Sequence, residues 1–154
     1  MDKKIIIEEY IKFLDEKVKS AEISLKTVRK EAVDAPGSNV SHSDTSKFQL
    51  SNVALGMEQR LSALKRQKAA MATMEVKNYD KIEIGAIFIV KYLKSEKETY
   101  YFLISEEGGD TLEIEKKKIV FVSPSAPIVR IIARLTEGDY FDSKGVEMQL
   151  VKIY

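Results

Sequence analysis

Residues 5–33, IIIEEYIKFLDEKVKSAEISLKTVRKEAV, decide the fold of this chain. Within them Ile7, Ile11, Leu14, Val18, Ala21, Leu25, Val28 and Ala32 follow one another at alternating steps of four and three. That spacing lays one apolar stripe along a helix, the seam of a coiled coil. The alternation returns at Leu50, Ala54, Met57, Leu61 and Leu64, and Met71 re-enters it after Lys68 interrupts. Between the runs, Asp34, Ala35, Pro36 and Gly37 stop the first helix: proline disfavours helix in the residue before it, and glycine accepts turn dihedrals. The pattern predicts helices over about residues 4–33 and 44–74, joined by a polar loop and packed as an antiparallel two-helix coiled coil. Lys68, at a seam position, is expected to snorkel rather than to form a specific ion pair.

From Ile82 onward the period changes from helical to alternating. Residues 84–93 and 99–104 are rich in β-branched and aromatic side chains and read as a hairpin about the turn at 94–98. Leu112 and Ile114 alternate with charged neighbours, and residues 119–122 give another short strand. Pro127 then opens a helix whose Ile128, Ile131, Ile132 and Leu135 fall at one-face spacing, with proline tolerated at the first helical position. Gly138 and Asp139 end it, and residues 140–141 and 146–153 close the sheet. The expected fold is α+β: a coiled-coil hairpin over 1–78 with its tip loop at about 34–45, then a small, mostly antiparallel sheet domain with one helix over 79–154.

Composition narrows the function. At 154 residues, 44% hydrophobic and 32% charged, the chain is that of an ordered globular protein. No run approaches the roughly 18 apolar residues needed to cross a bilayer, and the first ten residues lack a small-residue cleavage site, so no membrane and a cytoplasmic location are expected. The absence of cysteine and the single His42 exclude disulfides, thiolate zinc sites and a His-rich metal site. A net charge of +1 argues against a protein that wraps nucleic acid, and clusters such as Lys116, Lys117 and Lys118 read as solvated faces. No Ser–His–Asp set, P-loop or dinucleotide glycine pattern is present.

A helical hairpin followed by such a domain resembles the Gre transcript-cleavage factors (GreA/GreB), bacterial transcription elongation factors that bind RNA polymerase. The resemblance rests on Ile82-Glu83-Ile84-Gly85 entering the first strand, and on Val122-Ser123-Pro124-Ser125-Ala126-Pro127-Ile128-Val129-Arg130, where Ala126 replaces the usual serine. The spacing from that proline to Glu137-Gly138-Asp139 is also kept. It implies an FKBP-like C-terminal domain that docks at the rim of the polymerase secondary channel, with Ser125, Pro127 and Ile128 as docking residues, and a coiled coil that passes down the channel near the nascent RNA. It further implies that acidic tip residues help hold a magnesium ion beside the polymerase's own aspartates. Asp44 and Asp34 are the candidates, with Asp44 as the metal ligand. The chain would then be no enzyme and carry no cofactor of its own, magnesium entering only through RNA polymerase.

The tip departs from the family pattern. Where cleavage-competent members read approximately Gly-Asp-Leu-Lys-Glu-Asn, this chain has His42-Ser43-Asp44-Thr45-Ser46-Lys47, one carboxylate in place of a pair. The resemblance therefore leaves two outcomes: stimulation of transcript cleavage, or occupation of the channel by an inhibitor or modulator. Plainer readings stand beside these. Asp44 suits a helix N-cap, Asp34 a turn, His42 a solvent-exposed loop, and Ser125, Pro127 and Ile128 an ordinary helix entry. Two other classes are a prolyl isomerase built on the FKBP-like domain, for which an aromatic-lined pocket is missing from the sequence, and a coiled-coil adaptor pairing with another chain. The breaker-rich loop favours folding back, and a monomer is expected.

Overall fold

The computed structural model describes residues 2–35 and 43–154, with side chains in the second stretch from Ser46 onward. Helix α1 spans Lys3–Asp34 and helix α2 spans Ser43–Ala72. Six strands and one short helix follow: β1 (Ile87–Tyr92), β2 (Lys97–Leu103), β3 (Thr111–Ile114), β4 (Lys117–Val122), α3 (Pro127–Ile132), β5 (Tyr140–Ser143) and β6 (Val146–Ile153). The chain forms two compact units: Ile11–Ala69, and the sheet with the described residues up to Tyr10 and Ala70–Tyr154.

In the helical unit the seam is where the spacing puts it. Leu14, Leu25, Ala54 and Leu64 are buried, and Val18, Ala21, Val28, Leu50, Met57 and Leu61 are half-buried. Beside the seam, Glu22 pairs with Lys65 at 2.7 Å, and Arg29 pairs with Glu58 at 2.6 Å. The step is seven residues forward in α1 and seven back in α2, so the helices are antiparallel and their register is fixed by matched charges. Asp15 lies seven residues before Glu22 and pairs with Lys68 at 2.5 Å. This corrects the expectation for Lys68. The buried residue there is Gln67, which frees the neighbouring lysine to turn toward a carboxylate on the facing helix.

In the sheet unit the strand order is β3-β4-β2-β1-β6-β5. All neighbours are antiparallel except β2 and β4, which pair in parallel from Tyr100 and Ile119 to Leu103 and Val122. The central strand β1 is buried on both sides from Ile87 to Val90, which is why it reads as a continuous apolar run. On one face Phe88, Val90, Tyr101, Leu103, Met148 and Leu150 form a core with Val129 and Ile132 of α3. On the other, Phe102 and Phe121 meet the start of α1, where Ile6 and Tyr10 are fully buried.

Two boundaries differ from the sequence pattern. Strand β1 starts at Ile87 and not near 84, because Gly85 turns the chain with φ +96 and donates its amide to the Leu103 carbonyl at 2.8 Å. Helix α3 ends at Ile132 and not near Leu135, where the Leu135 amide closes a turn on the Ile132 carbonyl. Its buried face is therefore Val129 and Ile132, and Ile131 is left exposed.

Candidate functional site

Two places carry the residues singled out by sequence. The first is the end of the hairpin. Asp34 is the last residue of α1, and it is exposed. Asp44 belongs to the first turn of α2, but its side chain lies outside the described residues, as does His42 altogether. The expected pairing of Asp34 with Asp44 falls there too. Among the described residues no group of three histidine, cysteine or acidic side chains could hold a metal ion. A single exposed carboxylate suits magnesium only as one ligand of a shell completed by other molecules, since the ion keeps near-octahedral oxygen coordination.

The second place is the entry to α3. Residues 123–126 form a turn in which the Ala126 amide donates to the Ser123 carbonyl at 3.0 Å, and the Ser123 and Ser125 hydroxyls share a hydrogen bond of 2.8 Å. Ala126 is the N-cap with φ −59 and ψ 136 and makes no side-chain cap, so Pro127 supplies the helical φ at the first position. Ser125 and Pro127 are exposed. Ile128 is half-buried and packs against the core, so it anchors the helix. The three proposed docking residues thus lie side by side, two offered to solvent and one holding them in place.

Behind this entry runs a groove of about 710 Å³, which the sequence reading did not single out. Lys77, Arg130 and Arg134 supply its cations, Glu83 its acid, and Ile84 and Val129 its apolar lining. Glu75, two residues before Lys77 in the chain, holds its ammonium above its ordinary pKa through an ion pair of 3.1 Å. The signal was present in sequence as Arg130 and Arg134, four residues apart at the helix end, but Lys77 sits outside any element and could be placed there only by the fold.

A further cation is buried in the sheet unit. The Lys3 ammonium donates to the carbonyls of Lys77 and Tyr154 and lies 4.5 Å from the centre of the Tyr79 ring. Burial lowers its pKa to about 8. This lysine fastens the first turn of α1 to the segment before β1 and to the end of β6. Its two carbonyl bonds give it a structural role.

No family model matches the chain, and no curated protein matches it. Among solved structures it is similar to the transcription factor Gfh1, at 15% identity over 94% of this chain and 92% of that one, with a TM-score of 0.39. GreA factor homolog 1 (Gfh1) of Thermus thermophilus aligns at 14% identity over 94% of each chain, with a TM-score of 0.37. The elongation factor GreA/GreB of Nitrosomonas europaea aligns at 16% identity over 59% of this chain and 78% of that one, with a TM-score of 0.31. The likeness is thus to Gre-type structures, and at these values it assigns neither a family nor an activity. Among the described residues no helix is long and apolar enough to cross a membrane.

Proposed function

We propose that this chain is an RNA polymerase-binding regulator of transcription elongation, whose two-helix hairpin enters the polymerase secondary channel while the sheet unit docks at its rim. The observation that carries the reading is the hairpin. Its seam and its Glu22–Lys65 and Arg29–Glu58 pairs hold two antiparallel helices in one register, and at about 1.5 Å per residue the arm from Ile11 to Asp34 is roughly 36 Å long. A rigid arm of that length suits delivery of a few tip residues to a site too narrow for a globular domain. The exposed Ser125 and Pro127, held by Ile128, support the docking role.

The factor is no enzyme in this reading. It supplies at most Asp44 and Asp34 to a magnesium ion held mainly by the polymerase, and it carries no cofactor itself. The stretch 42–47 with its single carboxylate favours channel occupation that inhibits or modulates transcription over strong cleavage stimulation. Retention of core RNA polymerase on the immobilised chain tests the whole proposal, and no retention across a range of salt rejects it. Stalled elongation complexes then separate the two outcomes. Shortened RNA with the wild type and none with Asp44→Ala assigns cleavage, whereas slowed extension without shortening assigns occupation.

A further inference from the structure

Arg130 and Arg134 have no carboxylate to answer them. Along the hairpin Arg29, Lys65 and Lys68 each hold an acid of the facing helix, and Lys77 holds Glu75. Neither guanidinium at the end of α3 makes a hydrogen bond or an ion pair with any described residue. Arg130 lies in the last turn of α3, and Arg134 follows the C-cap Ala133, whose φ −56 and ψ −22 continue the helical course. Residues four apart on such a course are neighbours, with about 5–6 Å between their Cβ atoms. Both arginines line the groove of about 710 Å³, with the small Ala133 between them. Two like charges held this close repel one another, and an anion bound between them removes the repulsion.

The rest of the groove limits what that anion can be. Its volume falls within the roughly 300–1,000 Å³ of small-molecule sites. Eleven residues line it, against about 20–30 a side for a standard protein interface, so the size favours a small ligand over a protein. A guanidinium grips a phosphate through two parallel N–H···O bonds, and two of them side by side suit two linked phosphates. Ile84, 48% exposed, supplies apolar surface in the same groove. Glu83 is its acid and can accept a hydrogen bond from an N–H or O–H of the ligand. Two linked phosphates, a flat apolar body and polar hydrogens are together the chemistry of a nucleoside diphosphate.

We infer that the groove at the end of α3 binds a nucleoside diphosphate, with Arg130 and Arg134 on its two phosphates and its base against Ile84. Glu83 accepts a hydrogen bond from the base or the sugar, and Lys77 adds a third cation to the lining. The site binds its ligand without chemical change. All of these residues belong to the sheet unit, and the inference does not depend on polymerase binding.

The test is calorimetric titration of the full chain with ADP, GDP and inorganic pyrophosphate, at low salt and without divalent cations. At least one of the two nucleotides is expected to bind at a single site, and more tightly than pyrophosphate, which has no body to lay on Ile84. Arg130→Ala and Arg134→Ala are each expected to weaken that binding about tenfold or more, the loss of a charge-assisted pair of hydrogen bonds. Both side chains are exposed, so the variants should melt close to the wild type. Lys26→Ala, an exposed cation on α1, is expected to leave the affinity unchanged and controls for attraction by charge in general. No binding of either nucleotide up to about 5 mM, equal weakening by Lys26→Ala, or pyrophosphate bound as tightly as the better nucleotide overturns the inference. So does binding of hexaglutamate through the two arginines with none of ADP or GDP.

Discussion

Tyr10 lies flat on Phe121, with ring centroids 3.6 Å apart and planes 9° from parallel. The stack joins the third turn of α1 to β4, and the Tyr10 hydroxyl donates to Asp110 Oδ2 at 2.9 Å. Removing the ring in Tyr10→Ala is expected to destabilise the sheet unit by about 3–5 kcal/mol, the range for a large buried aromatic. Tyr10→Phe keeps the stack and loses the hydroxyl bond, for about 1 kcal/mol. Urea unfolding of the two variants separates the contributions. The phenol is also held protonated well above its ordinary pKa, first by burial and then by Asp110. A raised folded pKa means that its contribution is intact below pH 10 and is lost as pH rises beyond it. Tyr10→Phe is therefore expected to lose less stability above pH 10 than the wild type.

Lys3 has the opposite dependence. Its folded pKa of about 8 lies below the ordinary 10.5, so between these values the unfolded chain holds a proton that the folded chain has released. Stability arising from this group therefore rises with pH across that window, by on the order of 1–3 kcal/mol. Lys3→Met should abolish this rise while also losing the bonds to the Lys77 and Tyr154 carbonyls. Unfolding at pH 7.5 and at pH 9.5 measures the difference, and equal pH dependence in both proteins would contradict the burial of this charge.

The charge pairs along the hairpin are exposed, and each contributes modestly, about 0.2–1 kcal/mol. Their stronger effect is on register. Arg29→Glu sets two carboxylates against each other and is expected to lower the melting temperature by a few degrees in low salt. Adding Glu58→Arg should recover most of that loss, and about 0.5 M salt should shrink both effects.

Gly108 is fixed by backbone crowding. A side chain there would come within 2.7 Å of the Phe121 carbonyl, the Ser123 amide nitrogen and the Val122 Cα. None of these can turn aside as a side chain could. Gly108→Ala is expected to cost about 1–3 kcal/mol, whereas Gly109→Ala acts only through its φ of +117. Comparison of the two by denaturant midpoint separates steric from conformational cost.

The hairpin was legible because seam periodicity is a property of one helix at a time, and every seam residue from Leu14 to Leu64 is at least half-buried. Lys68 was misread because the pattern shows only which positions face inward. It does not show that Asp15 waits on the facing helix. The strands were legible from alternation, but the parallel pairing of β2 with β4 was not, since pairing direction is set by the connections and leaves no mark on a six-residue strand. Ile6 and Tyr10 fall beside the seam and were not singled out. The partners of Tyr10, Phe121 and Asp110, are a hundred or more residues away, and no local pattern connects them. Of the candidate site, the turn at 123–126 and the helix entry after it were visible through Pro124 and Pro127, while the groove beside them depends on Lys77, which only the tertiary fold brings to Arg130 and Arg134.

The sheet unit is completed by residues on either side of the helical one, up to Tyr10 and from Ala70 onward. In the language of protein engineering, the hairpin is a cassette spliced into a host domain. Its length can be changed by adding or deleting matched heptads between residues 11 and 69 without touching Tyr10, Phe121 or any strand. A graded series of longer and shorter arms on one unchanged base would then serve as a molecular ruler.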